Sequence, residues 1–287
     1  ASRSILFIVI SKSGNTIETL SNFFSMKIIK KNAKNIIIIS EKKDNALTKL
    51  AKTFNLFYIE HKDYIGGRFS VLSEVGLIPA YLMGLNIFKL RNNLDKYITK
   101  KEKFLRDSAL KLANLIYQKK FTNLIFINYF PKLEKFLYWS QQLIAESLGK
   151  NGKGFLPVIS NTPKDHHSLL QLYIDGPKNN LFYIFSDESS SKDRIIAKKL
   201  YRKIDFLNYK SISQVKLAQK NALLKLFKKN KIPFREIKIK KIDESVLGEL
   251  FSYYILETVI VGSLININPY NQPAVEQVKI YTKQFLR

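Results

Sequence analysis

The sequence predicts an α/β protein with mainly parallel sheets, and three observations carry that prediction. Its strand candidates are continuous apolar runs, such as Ile5-Leu6-Phe7-Ile8-Val9-Ile10 and Leu181-Phe182-Tyr183-Ile184-Phe185, rather than alternating ones. A strand reads that way when helices cover both faces of its sheet. These runs alternate with stretches of helical periodicity, as crossover-connected parallel strands require. The chain has 287 residues, enough for two such domains with a core in each.

Taken in order, the apolar run at 5–10 is a strand, and the hydroxyl-rich turn after it opens a helix over about 16–31. Residues 36–40 form a second buried strand, 44–53 a helix and 56–59 a short strand. A loop at 60–72, around Ile65-Gly66-Gly67-Arg68-Phe69-Ser70, leads to a helix from about Ser73 to Phe88. The polar, Lys-rich stretch 91–103 leads into the crossover between domains. The second unit opens with helix 103–119, strand 123–128 and helix 131–149. Residues 150–170, rich in Gly, Pro, Asn and His, read as a long irregular loop, a kind of segment that carries function. Strand 181–186, a helix near 212–229, strand 234–240 and an apolar helix 243–264 continue the pattern. Pro269-Tyr270-Asn271-Gln272 precedes a last helix over about 273–286. The resulting division is 1–95, 96–268 and a C-terminal helix at 269–287.

Composition narrows the function classes. Hydrophobic residues make up 46%, an ordinary globular value. No apolar run approaches the roughly 18 residues of a membrane span, so no membrane partner is expected. No signal-peptide pattern opens the chain. Zero cysteines exclude disulfides and thiolate metal sites and fit a reducing, cytoplasmic setting. The net charge of +25 admits nucleic acid as a partner. The excess is mostly lysine spread along the chain, and Lys, Ile and Asn are jointly abundant while Gly and Pro are scarce. That bias points to AT-rich coding rather than to a polyanion surface, and nucleic acid is not expected. A positive field would still gather anionic substrates. A buried-looking strand follows Ala1 almost at once, and domains seldom start inside a central strand, whose edge would be exposed. An N-terminal part is therefore expected to be missing.

The run Ser11-Lys12-Ser13-Gly14-Asn15-Thr16-Ile17-Glu18 joins the first strand to the first helix. Free N–H groups and the dipole at a helix start attract an anion. Hydroxyls of Ser11, Ser13 and Thr16 with the ammonium of Lys12 would complete a phosphate cradle. The run lacks the G-x-x-x-x-G-K-[ST] spacing, so a sugar phosphate fits better than a nucleotide. An ordinary N-capped helix with solvent-facing hydroxyls fits the same residues.

Glu146 lies near a helix C-terminus before a Gly-rich loop, with Gln142 one turn earlier on the same face. Partial burial there would raise its pKa and suit a general base. A surface pair with Lys150 is the alternative. His166 and His167 lie in the long loop, where one could shuttle protons and the other face solvent. No third ligand is spaced for a metal, and none is expected. His61 reads as structural or solvated. Gly66-Gly67-Arg68 reads as a glycine-dependent turn before a fixed cation that could stabilise an oxyanion, or as an exposed turn. Gln272, Glu276 and Lys279 share one face of the last helix, where a Glu276–Lys279 surface pair also fits.

Gly66-Gly67-Arg68-Phe69-Ser70-Val71-Leu72-Ser73-Glu74-Val75-Gly76 resembles the first signature of the phosphoglucose isomerase (glucose-6-phosphate isomerase) family. Tyr270-Asn271-Gln272-Pro273-Ala274-Val275-Glu276-Gln277-Val278-Lys279 is similar to the second. Ser11 to Thr16 resembles the family's sugar-phosphate loop, Gln142 to Lys150 the segment of its base, and His167-Ser168-Leu169-Leu170-Gln171 that of its histidine. The motifs fall in the family's order from end to end.

The resemblance implies two sugar-isomerase (SIS) domains of three layers with mainly parallel sheets, the first incomplete at its N-terminus. It implies interconversion of glucose 6-phosphate and fructose 6-phosphate by proton transfer through a cis-enediol, with no cofactor. Glu146 would be the base, His167 and Lys279 would assist ring opening, and Arg68 would stabilise the enediolate. Ser11, Lys12, Ser13 and Thr16 would hold the phosphate, and Gly67, Gln142 and Gln272 would touch sugar or phosphate. A homodimer is implied, in which the histidine reaches the partner's site. The sequence departs from the family at Asn15 and Pro273, and it lacks the Gly-rich loop that normally precedes residue 5. A non-catalytic sugar-phosphate sensor would need the phosphate loop but not Glu146, His167 and Lys279 together. A dual phosphoglucose/phosphomannose isomerase would differ only in pocket details.

Overall fold

The computed structural model describes residues 5–99, 102–188, 190–196 and 202–287. Ala1, and residues 100 and 101 of the Lys-rich crossover, lie outside the described residues. The chain divides into two compact units, Ala1–Leu94 and Asp95–Arg287.

In the first unit β1 (Phe7–Ile10), β2 (Ile36–Glu41) and β3 (Phe57–His61) form a parallel sheet in that order. The register sets Phe7 opposite Ile36 and Ile38 opposite Tyr58. α1 (Ile17–Ser25) and α2 (Ala46–Phe54) bury Phe23, Leu47 and Ala51 against Val9, Ile36 and Ile38. Alternation turns Ile39 to the other face, where it is fully buried too. Burial on both faces is why β2 opens with four consecutive isoleucines.

The first helix stops six residues before the expected end at 31, because Lys27 takes a left-handed conformation (φ 51°). The single helix expected at 73–88 is two, α3 (Glu74–Leu82) and α4 (Ile87–Arg91). Gly84, at φ +81°, breaks the run, and the Asn86 side chain restarts it by accepting the Lys89 N–H at 3.1 Å. α5 (Leu94–Thr99) lies at the division between units, within the stretch read as a polar crossover.

The second unit holds a four-stranded parallel sheet in the order β5-β4-β6-β7: β4 (Asn123–Asn128), β5 (Leu156–Asn161), β6 (Asn180–Asp187) and β7 (Phe234–Ile239). Here α6 is Lys103–Gln118, α7 is Glu134–Leu148, α8 is Leu170–Asp175, α9 is Ile212–Lys229, α10 is Glu244–Leu264 and α11 is Glu276–Phe285. One face packs Ile125, Ile127, Phe182 and Ile184 against Tyr173 of α8 and Leu223 and Phe227 of α9. On the other, Phe185 meets Phe126 edge to face and packs on Tyr254 of α10, which contacts Phe136 of α7. The result is a three-layer α/β/α unit.

Three sequence readings are corrected here. β5 lies inside the stretch 150–170 read as irregular. Its Pro157 lacks the N–H of a strand residue, but β5 is an edge that pairs only with β4, so that loss is tolerated. α8 was absent from the reading because one and a half turns carry too little periodicity to be seen. Among the described residues, α10 is long and apolar enough to cross a membrane by length and composition, which overturns the reading that no segment approaches that length. Half of it is buried inside the unit. It packs on α6 and α7 and carries the buried Glu257, which receives bonds from Arg235 at 3.2 Å and Tyr253 at 2.7 Å. Ser108 of α6 bonds both Glu257 and Arg235.

Candidate active site

In the first unit Ser11 directly follows β1, and its N–H donates to the Ile39 carbonyl at 3.1 Å. Its buried hydroxyl meets that of Thr16 at 2.7 Å, so Thr16 does not cap α1. Gly14 lets the chain turn at φ +64°, with its N–H on the Ser11 carbonyl at 3.0 Å. A Cβ there would lie 1.9 Å from Asn45 Oδ1. Asn45 cannot yield easily, because it caps α2 through a reciprocal pair of bonds with Thr48. The Asn15 side chain accepts the Ala46 N–H at 2.9 Å, and the Gly14 carbonyl that of Leu47 at 3.2 Å. The loop is thus bolted to the start of α2. Ser13 and Thr16 are exposed at the start of α1. The Lys12 ammonium, read from sequence as part of the phosphate cradle, pairs with the buried Glu41 carboxylate at 3.3 Å. Lys43 reaches the same carboxylate at 3.0 Å, which raises its own pKa.

Arg68 is 3% exposed and lies with its guanidinium 5.1 Å from the Phe69 ring centroid. It sits in a 3-10 turn, Gly67–Leu72. The expectation of a glycine-dependent turn is corrected: Gly66 is extended at φ −65°, and Gly67 has no positive φ. A Cβ on Gly67 would meet nothing within 4 Å. Of the two readings of His61, structural and solvated, the structural one holds, and Glu74 joins it in holding this segment. His61, 1% exposed at the end of β3, meets the Ile65 carbonyl at 3.1 Å through Nε2 and the Glu74 carboxylate of α3 through Nδ1. The sequence carried a faint signal for this: a histidine at the end of an apolar strand, just before the Gly-Gly pair.

In the second unit α7 presents Gln142 and Glu146 one turn apart, and the Gln142 side chain donates to Glu146 Oε1 at 3.0 Å. The Lys150 ammonium donates to the Asn268 carbonyl at 2.6 Å and Lys153 to that of Ile265 at 2.8 Å. These bonds draw the chain after α10 alongside the end of α7. Between them lies a cavity of about 450 Å³ lined by Glu146, Gly149, Lys150, Gln272 and Pro273. Gln272 is not on the last helix, contrary to the sequence reading. A 3-10 turn, Pro273–Val275, separates it from α11, because a proline starts the turn. Lys279 lies on α11, exposed and paired with Glu276 at 2.6 Å.

His167 is exposed after a 3-10 turn, Lys164–His166. Neither His167 nor Lys279 is among the residues lining the Glu146 cavity. His166 is half-buried, with Nε2 2.6 Å from the Tyr129 hydroxyl. Among the described residues no group of three His, Asp or Glu side chains is placed to hold a metal ion.

A family model described as phosphoglucose isomerase matches residues 1–173 of the chain. The chain belongs to the phosphoglucose isomerase family. A probable glucose-6-phosphate isomerase of Methanococcus maripaludis is 37% identical over 284 residues, spanning 96% of this chain and 64% of that protein. The glucose-6-phosphate isomerase of Methanocaldococcus jannaschii is 34% identical, with 96% and 70% covered. The chain therefore spans about two thirds, and in the first case less, of the curated relatives it matches. A hypothetical protein of Thermus thermophilus, known by crystal structure, superimposes with a TM-score of 0.87 at 25% identity, covering 99% of this chain and 72% of that one. Within this family, the span matched by the model holds the Ser11–Thr16 loop, Arg68, Glu146 and His167 and ends before Gln272 and Lys279.

Proposed function

We propose that the protein carrying this chain interconverts glucose 6-phosphate and fructose 6-phosphate by proton transfer through a cis-enediol. The observation that supports it best is the Glu146 carboxylate beside the Gln272 cavity, in a chain of the phosphoglucose isomerase family. The C2 proton of an aldose is weakly acidic, so a carboxylate needs a fixed substrate and a cation near the developing oxyanion. Glu146 is the base, oriented by the Gln142 side chain. Arg68 stabilises the enediolate. Ser11, Ser13 and Thr16 grip the phosphate with the start of α1, Lys12 being shared with Glu41, and Gly67, with open space where a Cβ would go, lets substrate approach the chain. Holding a part of the substrate that does not react supplies orientation. Gln272 contacts the sugar, and His167 and Lys279 assist ring opening.

The exposure of His167 suits action in a homodimer, where it would serve the partner's site. The reading needs no cofactor, nucleic acid or membrane, and places the cysteine-free chain in the cytoplasm. The test is Glu146→Gln in the purified protein. Exchange of the C2 proton with solvent deuterium is expected to vanish, while sugar-phosphate binding, followed by calorimetry, persists within a few-fold. Unchanged turnover of glucose 6-phosphate in a coupled assay would overturn the assignment.

A further inference from the structure

We infer that Tyr129 and His166 form a positioning pair that aims the His167 side chain, an inference that rests on the catalytic role proposed for His167. Tyr129 follows β4 directly, and its ring is 1% exposed within the core cluster of Ile127 and Phe182. Its N–H continues the sheet by donating to Phe185 at 2.8 Å. The ring is therefore anchored in the core beside the sheet. His166 lies 2.6 Å from its hydroxyl, and the two rings meet edge to face with centroids 5.6 Å apart.

The rest of the segment shows what this contact adds. The Thr162 N–H and hydroxyl both donate to the Asn128 carbonyl, at 3.0 and 2.9 Å. The Asn161 N–H donates to Asp165 Oδ2 at 2.8 Å, and the Leu169 N–H to the Asp165 carbonyl at 2.9 Å. These bonds hold the two ends of the segment. At its apex, the side chain that reaches the core cluster is His166. Successive side chains in a 3-10 turn diverge by about 120°. With His166 turned onto Tyr129, His167 is turned outward, and it is exposed. Letting His166 swing would let His167 swing with it.

The protonation states fit a fixed pair. Burial raises the pKa of the Tyr129 phenol, which keeps its proton and donates. Burial, and then the charge of His167, lower that of His166 against the opposing pull of Asp165, which fits a neutral ring accepting at Nε2.

The experiment compares kcat and KM for glucose 6-phosphate across His166→Ala, His166→Gln, Tyr129→Phe and His167→Ala, with the double variants. His166→Ala is expected to lower kcat about tenfold or more with KM little changed, since a misaimed group acts only in the chemical steps. Tyr129→Phe should do nearly the same, and the two together no worse than either alone, because they share one link. His166→Gln can still accept from the phenol and should recover most of the rate. In the His167→Ala background, adding His166→Ala should change kcat less than about twofold. A full effect of His166→Ala in that background, or no effect of Tyr129→Phe in the parent, would overturn the positioning role and leave the proposed reaction standing. If His167→Ala is itself fully active, the role of His167 fails and the positioning role falls with it. Where His166→Ala does not fold, Tyr129→Phe, which removes one atom, carries the same comparison.

Discussion

At the scale of single residues, two glycines that look alike in sequence do opposite things. Gly14 needs a left-handed backbone, and any Cβ would strike the Asn45 side chain that caps α2. Gly14→Ala is expected to lower stability by about 2–3 kcal/mol, adding backbone strain to a displaced cap, measured by urea denaturation. Gly67 has an ordinary backbone and open space where a Cβ would go. Gly67→Ala should leave the urea midpoint nearly unchanged, within about 0.5 kcal/mol. A loss of activity without loss of stability there would mark a close approach of substrate to the chain. The sequence announced both glycines as turns. Only the conformation of each, set by its neighbours across the fold, separates a structural glycine from an open one.

At the scale of elements, the segment around the Lys164–His166 turn carries a pH dependence whose sign follows from burial. His166 titrates below the ordinary imidazole value of about 6.5, because burial disfavours its charged form. The unfolded chain then binds this proton more readily than the folded one. The stability this implies is present above about pH 6.5 and is lost as pH falls through the lower folded value. The thermal midpoint of the parent protein is therefore expected to drop more than that of His166→Gln between about pH 8 and pH 5. Equal drops would remove the buried neutral imidazole from the account. The same segment shows where element reading runs out. β5 hides behind Pro157 because an edge strand relaxes the rule that excludes proline, and being an edge is a fact of sheet order rather than of local sequence. Gln272 fell off its expected helix face for a local reason, the proline that follows it.

At the scale of the whole chain, the pairing of Glu257 with Arg235 shows how α10, apolar enough for a membrane by composition, serves as a core helix. Burial alone would lower the Arg235 pKa. Tyr183, Glu257 and Tyr253 together outweigh that cost and hold it above its ordinary value. Glu257→Gln keeps the shape and removes the counter-charge. The expected loss is about 3 kcal/mol by chemical denaturation, the low end for a broken buried pair because Arg235 keeps some contact with solvent. A neutral outcome would mean that Tyr253 and Ser108 alone satisfy the guanidinium.

What the sequence determined by itself was the α/β class, most strands and long helices, and the family, because these rest on local periodicity and on motifs written contiguously. What only the tertiary structure decided was which side chains each motif meets. Glu41 claims Lys12, Gln272 comes beside Glu146, and Tyr129 holds His166. Those partners lie about 30 to over 100 residues away along the chain, and a contact across such a distance is chosen by packing, which local sequence pattern does not encode.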